Sequence, residues 1–217
     1  MPTPEYRCGH GARRNSRSGP ERKRSDAMKP GERILGLDPG LNITGYGVLE
    51  VTGDGLKLCE AGVVRGKTRG SLALRLKEIH AGVTGVVTAF QPTVVAVEQL
   101  YSHYERPRTA ILMGHARGVI CLAAAQAGVP VINYAATQVK KLLTGSGRAA
   151  KDQIQRAIQR ELQLAQPPEP ADVGDALAIA MCHYYLTKTA ALVTEKFGRP
   201  AKKSRPTANE IETEDIF

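Results

Sequence analysis

The chain has no tryptophan, no pair of cysteines in a C-x-x-C spacing and no apolar run of the length that crosses a membrane. A membrane helix needs roughly 18 or more apolar residues in succession, so no membrane partner is expected. The basic N-terminus also lacks the apolar segment of a secretory signal. We therefore expect a cytoplasmic protein.

The cysteines are few and far apart. They are Cys8, Cys59, Cys121 and Cys182. This spacing fits neither a zinc site nor the dense disulfide framework of a small secreted domain. Reduced thiols, most of them packed against apolar neighbours, are the prediction.

Positive charge is concentrated at the N-terminus. The formal net charge of the 217 residues is +9, and residues 1–30 contribute +5 of it. Residues 31–187 contribute +3, and residues 188–217 contribute +1. A basic protein favours a polyanionic partner, but only clustering of cations around a groove would place that partner on the core.

Composition divides the chain into three parts. Residues 1–30 are rich in Arg, Ser, Gly and Pro and should be disordered. Met28 stands just before the first predicted strand, so two interpretations are open: the natural start is Met28, or the segment is a basic arm that touches nucleic acid. Residues 31–188 form the predicted folded domain, and residues 189–217 a polar, flexible tail.

Turn signals and apolar periodicity predict five strands and five helices. The predicted strands are 33–38, 43–51, 56–65, 93–98 and 129–133. The predicted helices are 71–90, 107–127, 135–143, 149–165 and 170–188. Short turns join the first three strands, which indicates an antiparallel meander. The whole order predicts an α/β fold with a mixed five-stranded sheet flanked by helices.

The predicted helix 107–127 is apolar on nearly every side. One stripe suits a sheet: Leu112, Ala116, Val119 and Ala123. A second stripe consists of small residues: Gly114, Gly118, Cys121 and Ala125. Small residues at this spacing allow another backbone to come close, so two interpretations are open: tight packing inside the domain, or a dimer interface.

Acidic residues follow two apolar strands. Asp38 ends the strand Arg33–Asp38 just before a Pro-Gly turn, and Glu98 ends a second strand. Asp172 and Asp175 are three residues apart at the start of a predicted helix, so both lie on one side of it. If the two strands are parallel neighbours, all four carboxylates meet at one end of the sheet.

Four converging carboxylates repel one another unless cations neutralise them. Hard oxygen ligands suit Mg²⁺ or Mn²⁺ rather than zinc. Two such ions about 4 Å apart can clamp the attacking and leaving oxygens of a phosphodiester. Taken singly, Asp38 also fits an Asx turn, Glu98 a buried hydrogen-bonded acid, and Asp172 a residue favoured by the helix dipole. Taken together, they favour a metal site.

Gly45 and Gly47 alternate along the second strand and leave one face of it without side chains. A phosphate backbone could approach there, or the glycines could mark a bulge or a tight contact. The same strand, Asp and Gly-rich hairpin occurs in actin-like ATPases, but this chain is too short for their two lobes.

Cations and an aromatic residue flank the predicted acidic site. Lys140, Lys141, Arg148 and Lys151 flank a Gly-Ser-Gly loop, and two interpretations are open: contact with DNA phosphates beside the acids, or a solvated basic face. Tyr101, three residues after Glu98, could stack on an unpaired base or pack against the edge of the sheet.

Several sequence blocks together resemble the RuvC-type Holliday junction resolvases of the ribonuclease H-like superfamily. The blocks are ILGLDPGLNITGYGV (34–48), VAVEQLY (95–101), GHARGV (114–119), YAATQVKK (134–141), GSGRAAKDQI (145–154) and ADVGDALAIAMCH (171–183). The resemblance covers residues 33–186. The extensions at both ends and the basic, aromatic loop 101–108 depart from the family pattern.

The resemblance implies a ribonuclease H-like fold and a crossover junction endodeoxyribonuclease. Asp38, Glu98, Asp172 and Asp175 match the family's metal-binding acids, which hold two Mg²⁺ ions, with Mn²⁺ as a substitute. Tyr101 matches an aromatic that inserts at the crossover. Lys140 or Lys141, together with Lys151, match lysines that contact DNA.

The resemblance also implies partners and a product. A homodimer, working with the RuvA–RuvB branch-migration complex, nicks two strands of like polarity symmetrically and leaves ligatable 5′-phosphate ends. This places the chain in recombination and DNA repair in a bacterial cytoplasm, near the nucleoid. Two other hypotheses stay open: a related nuclease for RNA–DNA hybrids or flaps, and a scaffold that binds junctions without cutting them.

Overall fold

In the computed structural model, which describes residues 27–66, 70–100 and 107–197, one sheet carries helices on both faces. The strands are β1 (Arg33–Asp38), β2 (Ile43–Val51), β3 (Leu56–Arg65), β4 (Val94–Glu98) and β5 (Val131–Tyr134). The helices are α1 (Leu72–Phe90), α2 (Pro107–Gln126), α3 (Ala136–Thr144), α4 (Lys151–Glu161) and α5 (Ala171–Phe197).

The strand order is β3-β2-β1-β4-β5. Strands β1, β2 and β3 pair antiparallel, whereas β4 and β5 add in parallel to β1. The predicted mixed sheet is therefore confirmed, and the bounds of β1, β2 and β3 agree with the prediction. Because β1, β4 and β5 run the same way, their carboxyl ends lie at the same edge of the sheet.

Each face of the sheet has its own apolar core. Ile34 and Ala96 point to the face covered by α5, where α3 and α4 also pack. Leu35, Leu37 and Val97 point to the opposite face, which α1 and α2 cover. This alternation follows from the two-residue period of a strand and explains why the central strands read as continuous apolar runs.

Helix α1 shows how local sequence sets a boundary. Ser71 caps its N-terminus by accepting a hydrogen bond from the backbone N–H of Leu74. Ile79, Val83 and Val87 recur at helical spacing and are buried against the sheet. Burial of side chains of this size stabilises the fold by about 1.5–3 kcal/mol each.

In the small-residue stripe of α2, Gly118 and Ala125 are exposed, whereas Gly114 and Cys121 are partly buried. Ala116 and Ala123 are buried as predicted, but Gly118 is exposed and nothing lies within 4 Å of the position that a Cβ atom would take. Tight packing inside the domain is therefore the wrong interpretation at Gly118. Ile111 and Leu122, on the same side, are 61% and 50% exposed.

Two predicted helix ends were wrong. Helix α4 ends at Glu161 rather than at 165, because Gln163 takes a left-handed backbone conformation with φ of 52°. Helix α5 continues to Phe197 rather than ending at 188, so the first part of the predicted polar tail is helical. No glycine or proline interrupts the segment between 188 and 197.

Helix α5 is long and apolar enough to cross a membrane by length and composition. Polar residues, among them His183 and Lys188, interrupt the helix, so the chain still has no unbroken apolar run of roughly 18 residues. In the structure 56% of its most apolar window is buried, because the helix packs along the sheet as the central core element. The apolar character of α5 is explained by this burial.

Candidate active site

Asp38 and Glu98 lie side by side at one edge of the sheet. The parallel register of β1 and β4 pairs Leu37 with Val97, and the two acids are the next residues on their strands. Both fall on the face covered by α5, because they alternate with the buried residues Leu37 and Val97, which face α1 and α2. The predicted convergence of these two carboxylates is confirmed.

The start of α5 carries two more acids to the same edge: Asp172 lies in its first turn and Asp175 follows three residues later. Asp172 sits directly above Gly45: a Cβ atom on Gly45 would stand 2.0 Å from the backbone oxygen of Asp172. A similar Cβ on Gly47 would stand 2.5 Å from Leu177 Cδ2. A helix covers the glycine face, so the predicted approach of a phosphate backbone there was wrong, and the alternative of a tight contact is confirmed.

The acids influence one another electrostatically. Burial, followed by the charges of Glu98, Asp175 and Asp172, raises the pKa of Asp38 from 3.8 to about 7. Burial and the charge of Asp175 raise the pKa of Glu98. Burial raises the pKa of Asp175 as well, with Asp172 adding to the rise and Lys151 opposing it. The site therefore concentrates negative charge that the protein only partly neutralises.

Two lysines supply the positive charge at this edge. Lys151 Nζ lies 3.8 Å from Asp175 Oδ2. Lys140 also lowers the pKa values of Glu98 and Asp175. Lys141 and Arg148 are exposed nearby in the chain, but neither contributes to the pKa shifts of the acids.

Tyr101, the residue predicted to stack on a base, lies outside the described residues. Its proposed contact with DNA therefore stays a prediction. Leu100, the last described residue before it, lines the cleft beside the acids, so the chain leaves the sheet at this edge.

The four acids fit a hard divalent cation. Carboxylate oxygens are the ligands that such ions prefer. The raised pKa values of Asp38, Glu98 and Asp175 indicate that a bound cation would stabilise their ionised forms. Within the described part of the chain, no three His, Cys, Asp or Glu side chains already stand close enough to cage an ion. Charge–charge coupling acts over longer distances than coordination, so both findings are consistent with acids that lie at one edge of the sheet without meeting at one point.

A cleft of about 640 Å³ opens beside Asp38 and Glu98. Its walls are largely apolar and include Leu100, Met113 and the start of α3 at Ala136. The volume is typical of sites that bind a small organic group such as a nucleotide. The arrangement offers acids at one side and an apolar wall at the other.

Sequence reasoning missed two residues that hold this edge together. The hydroxyl of Thr44 is buried, donates to the carbonyl of Gly40 at 2.7 Å and accepts the Gly40 N–H, which closes the turn after Asp38. A Cβ atom on Gly36 would stand 2.1 Å from the backbone oxygen of Ala176. A Thr four residues after Gly is a recognisable turn signal, whereas the role of Gly36 depends on tertiary packing.

The sequence that carries these acids, lysines and cleft matches a known protein family. The family model of crossover junction endodeoxyribonuclease RuvC matches residues 34–183. The chain belongs to the RuvC family. Crossover junction endodeoxyribonuclease RuvC of Rhodopirellula baltica is 58% identical over 153 residues, which cover 70% of this chain and 86% of that protein.

Solved RuvC structures agree with this membership. The Thermus thermophilus RuvC structure has a TM-score of 0.68 at 36% identity and covers 73% of this chain and 97% of that chain. A second structure, Thermus thermophilus RuvC in complex with Holliday junction substrate, matches with a TM-score of 0.68 at 35% identity, over the same shares of the two chains. The ribonuclease H-like fold and the predicted RuvC resemblance are thus confirmed.

Proposed function

We propose that this RuvC-family chain resolves four-way DNA junctions by hydrolysing phosphodiester bonds at the edge of the sheet where its four acids gather. The observation that carries the proposal is the shared electrostatics of Asp38, Glu98, Asp172 and Asp175. Such a cluster is costly to bury and would serve no purpose in a protein that only binds a polyanion.

The same four acids would hold Mg²⁺, with Mn²⁺ as a substitute and two ions in the working site. Bound there, the ions would supply an activated water and stabilise the departing oxygen of the cut strand. Metal binding needs ionised carboxylates, so at neutral pH it should release protons from the site. The raised pKa of Asp38 makes this residue the main source of those protons.

The lysines would bind and orient the DNA strand. Lys140 and Lys151 stand closest to the acids and would hold the phosphates on either side of the cleavage point. Lys141 and Arg148 are exposed and would contact phosphates further away. These contacts position the backbone and carry no base preference by themselves. Tyr101 would stack on a base unpaired at the crossover.

The apolar cleft would exclude water from one side of the strand. Leu100 and Met113 lie on the wall beyond the acids, where the sugar or base next to the cut phosphate would pack. Removing water strengthens the electrostatic contacts between the acids, the cations and the phosphate. The strand would thus be gripped by its phosphates and packed along its edge.

A junction has two equivalent strands to cut, so we propose that the chain acts as a homodimer. The exposed stripe of α2, with Ile111, Gly118 and Leu122, is the surface that a second copy would cover. Each copy would nick one strand of like polarity and leave a ligatable 5′-phosphate. The RuvA–RuvB complex would be its partner in recombination and repair, near the nucleoid of a bacterial cytoplasm.

A substrate panel tests the proposal. A mobile four-way junction, a linear duplex of the same sequence, a flap and an RNA–DNA hybrid are incubated with the chain, with and without Mg²⁺. We expect paired nicks in the junction alone, only with metal, and products that DNA ligase can seal. Cleavage of the hybrid or the flap at the same rate would indicate a less selective nuclease. Tight junction binding without nicks would indicate a scaffold.

A further inference from the structure

Three glycines form a smooth track beneath α5. Gly36 of β1 pairs with Gly47 of β2, and Asp38 pairs with Gly45, so the track ends directly opposite an acid of the site. All three glycines are buried, although glycine is unfavourable inside a strand. The close approach of α5 explains why glycines occupy these positions.

Gly45 carries the tightest of these contacts. A Cβ atom added there would stand 2.0 Å from the backbone oxygen of Asp172, 2.4 Å from its carbonyl carbon and 3.0 Å from its Cβ atom. Two of these three atoms belong to the backbone, which cannot rotate away as a side chain does. The absence of a side chain at Gly45 therefore sets how closely the first turn of α5 approaches Asp38.

We propose that Gly45 is a positioning residue of the active site: it sets the height of the α5 N-terminus above the sheet, and with it the distance of Asp172 and Asp175 from Asp38. The inference deepens the proposed function, because it concerns the same metal-binding acids. It also assigns the glycine on β2 a role distinct from general packing.

Gly47 provides the natural comparison. A Cβ atom there would meet Leu177 Cδ2 at 2.5 Å and Leu177 Cγ at 2.9 Å, both in a side chain. That side chain can shift or be shortened, and Leu177 lies more than one helical turn beyond Asp172. An alanine at Gly47 should cost stability while leaving the acids in place.

The expected size of the Gly45 effect follows from the distances. Atoms in contact need at least 3.0 Å, so an alanine at Gly45 must push the backbone of Asp172 away by about 1 Å. A misplacement of about 1 Å at a reacting centre can lower a rate about 100-fold. Loss of support for metal ligands typically weakens metal affinity about 10- to 100-fold.

The test compares Gly45→Ala, Gly47→Ala and Gly53→Ala. Gly53 lies in the turn between β2 and β3, with nothing within 4 Å of its Cβ position, so its variant is the control for substitution itself. The melting temperature is measured without DNA while Mg²⁺ or Mn²⁺ is titrated, and the cleavage rate of a four-way junction is measured separately. Crystal structures of the wild type and of Gly45→Ala report the displacement directly.

The metal midpoint of each variant is the metal concentration at which its melting temperature has made half of its total rise. We expect Gly45→Ala to raise this metal midpoint at least about tenfold and to slow cleavage about 100-fold. Gly47→Ala should melt at a lower temperature, with the midpoint unchanged, and should recover stability when combined with Leu177→Ala. Lengthening the displaced acid should restore part of the metal response, so the double variant Gly45→Ala, Asp172→Glu should bind metal better than Gly45→Ala alone.

A second variant covers the case in which Gly45→Ala does not fold. Leu177→Phe adds far more volume above Gly47 than the single methyl group of Gly47→Ala, so the side chain cannot shift aside and α5 should lift from Gly45 as well; Leu177→Met is the volume-conserving control. We expect the metal midpoint to rise in Leu177→Phe and to stay at the wild-type value in Leu177→Met.

The outcomes separate this inference from the proposed function. A Gly45→Ala protein with the metal midpoint and cleavage rate of Gly47→Ala, or with α5 undisplaced in the crystal, would overturn the inference and leave the nuclease function standing. A wild type without any metal response would overturn it too. Metal midpoints that shift as expected in a chain that cuts no junction would support the inference and overturn the function.

Discussion

Lys151 Nζ stands 3.8 Å from Asp175 Oδ2, at the point where α4 and α5 both begin. The lysine side chain is 75% exposed and the aspartate side chain 35% exposed, so solvent screens the pair and its contribution to stability is small. Its importance is electrostatic: Lys151 lowers the pKa values of Asp38, Glu98 and Asp175. The residue acts as a resident cation at the edge of the acidic site.

Lys151→Met should move the pH dependence of cleavage. Removing this cation raises the pKa values of the acids, so a higher pH is needed to ionise them, and the acidic limb of the rate profile should shift to higher pH. Arg156→Met is the matched control, because Arg156 is exposed on the same helix and pairs with Asp152 at 3.7 Å. Identical profiles for the two variants would contradict the electrostatic role of Lys151.

Asp38→Asn should stabilise the metal-free protein at alkaline pH. In the folded protein the pKa of Asp38 is about 7, whereas in the unfolded chain it takes its ordinary value of 3.8. As the pH rises, the Asp38 carboxyl therefore ionises first in the unfolded chain. Wild-type stability should therefore fall between pH 4 and pH 7 and then level off. At pH 8 the free energy of unfolding of Asp38→Asn should exceed that of the wild type by roughly 1–2 kcal/mol, a value reduced for solvent screening. At pH 4 the two proteins should be equally stable.

Urea unfolding at pH 4 and pH 8 in the presence of a chelator measures this difference. Asp54→Asn, in the exposed turn between β2 and β3, is the control and should leave both values unchanged. Added Mg²⁺ should raise the stability of the wild type more than that of Asp38→Asn. A variant that is less stable than the wild type at pH 8 would refute the proposed crowding of negative charge.

Lys140→Ala should weaken junction binding uniformly across sequences. A lysine that contacts a phosphate releases a counterion on binding, so its loss should reduce the slope of log affinity against log salt by about one. Lys57→Ala is the control, since Lys57 lies on β3 far from the acidic edge. Fluorescence anisotropy with labelled junctions in Ca²⁺ reports both quantities, and equal slopes for the wild type and Lys140→Ala would exclude the contact.

Leu122→Glu should dissociate the proposed homodimer. Leu122 is 50% exposed on the small-residue side of α2, and a charge placed inside an apolar interface is left without a partner. Leu74→Glu changes a side chain that is 52% exposed on α1 and should leave the dimer intact. Sedimentation velocity gives the mass of each variant; a Leu122→Glu protein that sediments with the wild-type mass would place the interface elsewhere.

The first three strands were predictable because local sequence determines them, and the places of Asp38 and Glu98 at strand ends were predictable in the same way. Arg33–Asp38 reads as a buried strand that ends at a Pro-Gly turn, and the structure gives the same bounds. The meeting of Asp38 with Glu98 also followed, since parallel neighbours end at the same edge. The end of α5 was missed because the polar residues Thr187 and Lys188 resemble a helix end, although Thr187 is buried and bonds back to the carbonyl of His183.

The role of the glycines was not predictable from sequence. Gly45 and Gly47 indicate that one face of β2 lacks side chains, but sequence alone does not tell whether DNA, another strand or a helix covers that face. The answer depends on the register of β1 with β2 and on the path of α5, which are set by packing across the whole domain. The role of Gly45 and Gly47 therefore depends on which tertiary element packs against them.

The central claim is that the four acids form a metal-dependent site that cuts DNA junctions. The most direct measurement compares wild type with Asp175→Asn on a mobile four-way junction, scoring nicks with Mg²⁺ and binding with Ca²⁺. We predict paired nicks for the wild type, and for the variant at least a 100-fold slower cleavage with undiminished binding, because the lost charge cannot hinder attraction of phosphate. Cleavage by Asp175→Asn at the wild-type rate would contradict the claim.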